Sequence, residues 1–150
     1  MPEKQKLSIT EQENMAEAVL RIVAAYPDYP KTITDSNIRL DDLEGKSECI
    51  GVFPISGAVV LKEYIYGGFD AEYPFLLLYK CQPTTNRAVI EKRGVFDKLA
   101  MWLESIEYPD LSDGREIQSI KRTSTTVLAE KAKDGMSVFQ CTFKLNYSKD

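Results

Sequence analysis

Tyr73-Pro74-Phe75-Leu76-Leu77-Leu78-Tyr79-Lys80-Cys81-Gln82-Pro83 opens the stretch that decides the fold, and the stretch runs on to Ile106. Phe75 to Tyr79 is an unbroken apolar run, too short for a helix of normal length and bounded by breakers at Tyr73-Pro74 and Gln82-Pro83. Such a run reads as a strand buried on both faces. From Asn86 the period changes. Val89, Phe96, Leu99, Leu103 and Ile106 recur at steps of seven, three, four and three, which places them on one face of a helix. Ala88, Val95 and Trp102 widen that stripe. Asn86 is the expected N-cap, because its side-chain oxygen can accept from an unpaired backbone N–H. Pro109 lies where the helix must already have ended.

Outward from this core, the N-terminal side begins with a lead-in over residues 1–7, expected to be disordered. Thr10-Glu11-Gln12-Glu13 has capping-box spacing, with Thr10 as N-cap. Met15, Ala16, Val19, Leu20, Val23 and Tyr26 follow at helical spacing up to Pro27. Pro27 to Lys46 is irregular, with Ile33, Ile38, Leu40 and Leu43 pinning an extended segment to the body. Asp41-Asp42-Leu43-Glu44-Gly45 lacks the alternating carboxylates and closing Glu of a calcium loop, and reads as a solvated acidic turn. Glu48–Ile55 and Ala58–Tyr66 read as a strand pair joined through Pro54-Ile55-Ser56-Gly57, the second rich in β-branched and aromatic residues, followed by a turn at Gly67-Gly68-Phe69-Asp70.

On the C-terminal side, Pro109 to Gly114 is a loop. Glu116 to Val127 is a polar, β-prone segment whose run Thr123-Ser124-Thr125-Thr126 suits an edge strand. Lys133-Asp134-Gly135 has hairpin-turn chemistry. The last strand alternates cleanly: Phe139, Cys141, Phe143, Leu145 and Tyr147 share one face, with Val138, Gln140, Thr142, Lys144 and Asn146 on the other. The expected architecture is a single α+β domain over residues 1–150. Its sheet is mostly antiparallel, with two helices on one face, in the order α-β-β-β-α-β-β with room for one further C-terminal strand.

Composition narrows the function classes. A net charge of −4 offers no global field for nucleic acid, and Lys121-Arg122 is too little to make a basic stripe. No run approaches the roughly 20 apolar residues of a membrane helix, and the N-terminus carries no apolar signal stretch. Three dispersed cysteines, Cys49, Cys81 and Cys141, fit a reducing cytoplasm. Cys141 falls within the apolar set and reads as a small buried hydrophobe. The chain has no histidine, which removes the commonest general base and the commonest transition-metal ligand. No cofactor or metal motif is present, and the two adjacent glycines at Gly67-Gly68 lack the spacing of a phosphate loop.

Several features resemble the tail-terminator or minor capsid proteins of long-tailed bacteriophages. They are the first helix closing at Tyr26-Pro27, the strand and turn Leu61-Lys62-Glu63-Tyr64-Ile65-Tyr66-Gly67-Gly68, and the entry Tyr73-Pro74-Phe75-Leu76. The helix from Asn86-Arg87-Ala88 to Ala100-Met101-Trp102-Leu103-Glu104 and the closing strand Phe139 to Tyr147 complete the set. The resemblance is one of pattern and order over most of the chain. It implies a non-enzymatic assembly role with no catalytic residues and no cofactors: a ring, commonly a hexamer, at the head-proximal end of the tail tube. Its partners would then be further copies of itself, tail-tube protein and head-completion proteins. Assembly would take place in the host bacterial cytoplasm, and the final location would be the head–tail junction of the virion.

A head-to-tail ring needs two different complementary patches on each subunit. The candidate patches are the Thr/Ser run Thr123–Thr126, with Thr123 and Thr125, the strand end Tyr64–Tyr66 with its Gly67-Gly68 turn, and the segment Tyr29–Leu40. Tyrosine and arginine are favoured at interfaces, which nominates Tyr64, Tyr66, Tyr73, Arg87 and Arg122. The competing reading is an enzyme or small-ligand binder with a pocket between helix and sheet, using Glu63 or Asp70 beside Tyr64 and Tyr73. A carboxylate with a raised pKa in an apolar pocket would mark it.

Overall fold

A computed structural model describes residues 5–34, 37–43, 48–83, 85–111, 114–131 and 135–150. Among these residues there are two helices, α1 (Ile9–Ala24) and α2 (Asn86–Ser105), and seven strands. The strands are β1 (Ile38–Leu40), β2 (Cys49–Pro54), β3 (Val59–Glu63), β4 (Phe69–Cys81), β5 (Arg115–Arg122), β6 (Val127–Lys131) and β7 (Ser137–Lys149). The class is α+β, as expected. The spine is the antiparallel pair β4–β7, each of 13 residues, in register from Phe69↔Lys149 to Cys81↔Ser137. Short strands flank it in two halves: β3 and β2 lie end to end along β4, each pairing with it and not, as expected, with the other, and β5 and β6 lie along β7.

β4 is longer than the apolar run that announced it, and it is not buried equally on both faces. Ala71, Tyr73, Phe75, Leu77, Tyr79 and Cys81 are fully buried, whereas Leu76 and Leu78 are half-buried on the uncovered face. Pro74 sits inside the strand instead of breaking it. Its carbonyl accepts from Ile55 N–H at 3.5 Å, so its missing N–H falls on the same side, where the flanking ladder is interrupted between Pro54 and Val59.

Both helices cover the face that carries the odd-numbered residues of β4 and β7. α1 contributes Met15, Val19, Ile22 and Val23 to the core, and α2 contributes Phe96, Leu99, Ala100 and Leu103. At their C-terminal ends the helices meet through Tyr26 and Trp102, ring centroids 5.3 Å apart. The caps differ by one or two residues from expectation. Ser8 accepts from Glu11 N–H at 3.1 Å, not Thr10 from Glu13, and Thr85 accepts from Ala88 N–H at 3.0 Å in place of Asn86. The expected lead-in does not reach residues 5–7. Lys6 bridges to Val59 and Leu7 is buried in the core; residues 1–4 lie outside the described part.

Three other expectations change. Ile38–Leu40 is not an irregular strap but a strand parallel to β2, which makes the sheet mixed. Glu116–Val127 is not one strand: β5 ends at Arg122, β6 begins at Val127, and Thr123–Thr126 is the connection between them, not an edge strand. Here Thr142 N–H donates to Ser124 Oγ at 3.0 Å, a side chain standing in for a ladder partner. Phe69 and Asp70 already belong to β4, so the hairpin turn is Tyr64–Gly68. Of the Lys133-Asp134-Gly135 turn only Gly135 is described. It has φ +84° and lies between the antiparallel strands β6 and β7. Likewise Glu44-Gly45 and Ser112-Asp113 lie outside the described residues. All three cysteines are buried.

Candidate functional site

Two surfaces stand out, and each is built by specific local chemistry. The first is the tip of the β3–β4 hairpin. A bulge between Val60 and Lys62 shifts the register, and the pairing runs on to Glu63↔Phe69. Tyr64 N–H then donates to Gly68 O at 2.8 Å and Gly67 N–H to Tyr64 O at 3.0 Å, with Gly67 at φ +102°. A Cβ on Gly68 would lie 2.6 Å from the Lys149 carbonyl, so only glycine lets the tip settle on the end of β7. Tyr64 and Tyr66 stack face to face at 5.3 Å, and the Lys62 ammonium stands 5.2 Å from the Tyr64 ring centre. Tyr64 OH donates to Asp70 Oδ2 at 2.6 Å, and that hydrogen bond raises the Tyr64 pKa. Beyond this ladder Ile65 is fully exposed and Tyr66 is 83% exposed.

The second surface is a groove of about 750 Å³ between α1, α2 and the segment that follows α2. Ala18 and Ile22 of α1, Trp102 of α2, and Ile106 and Leu111 give it an apolar lining, with Glu17, Arg21, Glu107 and Asp110 among its polar groups. Tyr108 fixes its wall: its hydroxyl donates to Leu103 O at 2.7 Å and accepts from Ile120 N–H at 3.0 Å, tying the segment to α2 and β5.

Arg115, which also lines the groove, is held by a buried fork. Its Nε and Nη2 donate to the two carboxylate oxygens of Glu11 at 2.8 and 2.7 Å, and Tyr147 OH donates to Glu11 Oε1 at 2.8 Å. The Arg115 hydrogen bond outweighs burial and holds the Glu11 carboxyl below its usual value. A second node sits between the 29–34 segment and α2. Glu48 accepts from Thr32, from Tyr79 OH at 2.8 Å and from Lys92 Nζ at 2.5 Å. Burial would raise its pKa, but the bonds from Lys92, Thr32 and Tyr79 together lower it.

Both carboxylates are therefore depressed in the fold, from an ordinary value of 4.5. Below 4.5 the unfolded chain binds more protons than the folded one, so acid favours unfolding. Unfolding free energy, followed by urea titration at stepped pH, is expected to hold its full contribution from these groups above about pH 5 and to lose it as pH falls through their folded values. A stability that rises on acidification below 4.5 would refute this assignment.

The nominated interface residues scatter over the molecule. Tyr64 and Tyr66 come together at the tip. Tyr73 is 1% exposed on the inner face of β4, so it is a core residue and not a surface anchor. Its hydroxyl is buried without a hydrogen-bond partner among the described residues, and burial pushes its pKa up to about 12. Arg87 lies in the first turn of α2, exposed and 3.4 Å from Glu91. Arg122 ends β5, away from the tip, 2.6 Å from Glu104. Thr123 donates to Thr142 Oγ1 at 2.8 Å, and Thr125 is exposed in the same connection. Of the carboxylate–tyrosine pairs, Asp70 meets Tyr64, while Tyr73 belongs to the core. The carboxylates with displaced pKa values, Glu11 and Glu48, are displaced downward, opposite to the mark of a catalytic acid in an apolar pocket. Among the described residues no group of three His, Cys, Asp or Glu could hold a metal ion, and no helix is long and apolar enough to cross a membrane.

The groove had no place among the nominated residues, and Ile65 entered only as part of the nominated strand end Tyr64–Tyr66. Ile65 is visible in sequence as an apolar residue beside a Gly-Gly turn. The groove is assembled from three distant segments, and no local pattern announces it.

No protein-family model matches the sequence, and no curated protein matches it. The fold is shared with a chain of the solved structure titled "Virion of native gene transfer agent (GTA) particle", at TM-score 0.66 and 11% identity, covering 94% of this chain and 99% of that one.

Proposed function

We propose that this chain is a non-enzymatic structural protein of a phage-like particle, a tail terminator that assembles into a ring, caps the tail tube and joins it to the head. The observation that carries the reading is the fold it shares, over nearly the full length of both chains, with a component of a gene transfer agent virion. The resemblance of its elements to tail-terminator proteins, and the lack of histidine, support the finer role. Its partners are further copies of itself, most simply six in a ring, and tail-tube and head-completion proteins. It assembles in the host bacterial cytoplasm and remains at the head–tail junction of the virion.

The test is light scattering on a size-exclusion column over a wide concentration range, with and without purified tail tubes. The expected result is a discrete multiple of 17.0 kDa, six-fold for a hexamer, or ring formation on the tube end. A chain that stays at 17.0 kDa throughout and does not bind tubes would overturn the reading. The groove favours one second reading. Its volume of about 750 Å³ falls within the roughly 300–1,000 Å³ of small-ligand sites. A monomeric chain whose melting temperature rises by several degrees with a small apolar ligand would support that reading instead.

A further inference from the structure

We infer that the aromatic tip of one copy seats in the helix-lined groove of the next, so that the ring closes head to tail through these two surfaces. This inference rests on the ring reading and adds which faces make the ring. The two surfaces use different residues of the same chain. A contact between unlike patches is heterologous, and it closes into a ring when its rotation allows.

The tip has the properties of an anchor. Ile65 is fully exposed and Tyr66 is 83% exposed, a projecting pair that, among the described residues, is left largely uncovered apart from the Tyr64 ring stacked on Tyr66. It is also preformed. The Tyr64–Tyr66 stack, the Tyr64–Asp70 hydrogen bond and the close approach of Gly68 to β7 leave little to be ordered on binding. Tyrosine anchors in desolvated pockets carry much of the energy of protein interfaces. The groove supplies such a pocket, with Trp102 and Ile22 in its apolar lining.

Charge selects the occupant. On the tip, Lys62 stands over Tyr64 and makes no ion pair among the described residues. At the groove, Glu17 is already paired with Arg21 at 2.5 Å, while Glu107 and Asp110 have no ion-pair partner among the described residues. A cation beside an aromatic ladder thus faces two uncommitted carboxylates beside an apolar pocket, which is the complementarity that steers and registers an interface.

The experiment pairs one thiol on each surface in the full-length chain, Tyr66→Cys with Ala25→Cys, under mild oxidation. The three native cysteines are fully buried and do not compete. The expected result is a ladder of covalent dimers, trimers and higher species on a denaturing gel, absent from either single variant. In parallel, Ile65→Asp, at a fully exposed side chain that cannot disturb the core, is expected to reduce the assembled mass to 17.0 kDa with an unchanged circular dichroism spectrum. A ring of normal mass that gives no ladder and tolerates Ile65→Asp overturns the inference while leaving the ring reading intact. A chain that assembles under no condition, even on tail tubes, overturns both. A groove that binds the dye anilinonaphthalene sulfonate equally well in the assembled and unassembled chain also overturns the inference, because its occupant would then be a small molecule.

Discussion

Replacing Arg115 by alanine will lower the unfolding free energy by about 3–5 kcal/mol, the cost of leaving a buried charge without its partner. The Glu11 and Arg115 side chains are 9% and 6% exposed. Glu11 would keep the Tyr147 hydroxyl and a Lys149 ammonium 3.9 Å away, but it would lose the bidentate fork that most lowers its pKa. At roughly 2–4 °C per kcal/mol for a chain of this size, the melting temperature should fall by about 6–20 °C. Lysine should restore little, because a point charge cannot reproduce the two parallel bonds. The ion pair itself is a weak source of stability, since desolvating both charges offsets most of their attraction. The triple variant Glu11→Leu/Arg115→Met/Tyr147→Phe should therefore recover most of the loss. A loss below about 1 kcal/mol for Arg115→Ala would mean that water reaches Glu11 in the fold, because only exposed pairs cost so little.

The same fork shows why part of the molecule was hidden from sequence. Glu11 and Arg115 are 104 residues apart, and nothing local marks either as a partner. Long periodic elements were legible: the β7 alternation and the Phe96–Leu99–Leu103 stripe of α2 each repeat often enough to fix a face. The first cap was not, because Ser8…Glu11 and Thr10…Glu13 have the same spacing, and the tertiary anchoring of Leu7 selects the earlier one. β1 was missed because three residues carry no period, and only parallel pairing with β2 makes them a strand. The split of β5 from β6 depends on side chains of the 123–126 connection bonding across to Thr142, a register effect invisible in a β-prone run.

For the candidate site, composition beside a Gly-Gly turn was enough to bring out Tyr64 and Tyr66. Tyr73 shows the limit of that reasoning. Its residue type suits an interface, but its parity along β4, shared with Phe75, Leu77 and Tyr79, commits it to the core. Parity outranks residue type wherever one sheet face is covered. The groove needed the relative placement of α1, α2 and the segment after Ser105, which depends on packing at long range.

That packing is centred on the β4–β7 spine, and the second large effect is expected there. Phe75 and Phe143 are cross-strand partners whose rings stack at 5.1 Å and 9°, both fully buried. Phe143→Ala removes one ring from the middle of the sheet, and the fold is expected to lose about 3–5 kcal/mol, in part from the cavity left behind. Phe143→Leu keeps most of the volume but loses the ring pair, which by itself is worth about 0.5–1.5 kcal/mol. It should cost clearly less than the alanine variant. Urea titration of both variants measures the difference. Near-equal losses would mean that the ring stack, and not the filled volume, sets the stability here. The consequence reaches both surfaces, because β4 and β7 carry the tip at their Phe69–Lys149 end and the core face on which α1 and α2 build the groove. In a partly destabilised Phe143→Leu chain that remains folded, tip and groove keep their separate local supports, the Tyr64–Asp70 and Tyr108 hydrogen bonds. Ring assembly should therefore persist in Phe143→Leu and fail in Ile65→Asp, which separates loss of fold from loss of contact.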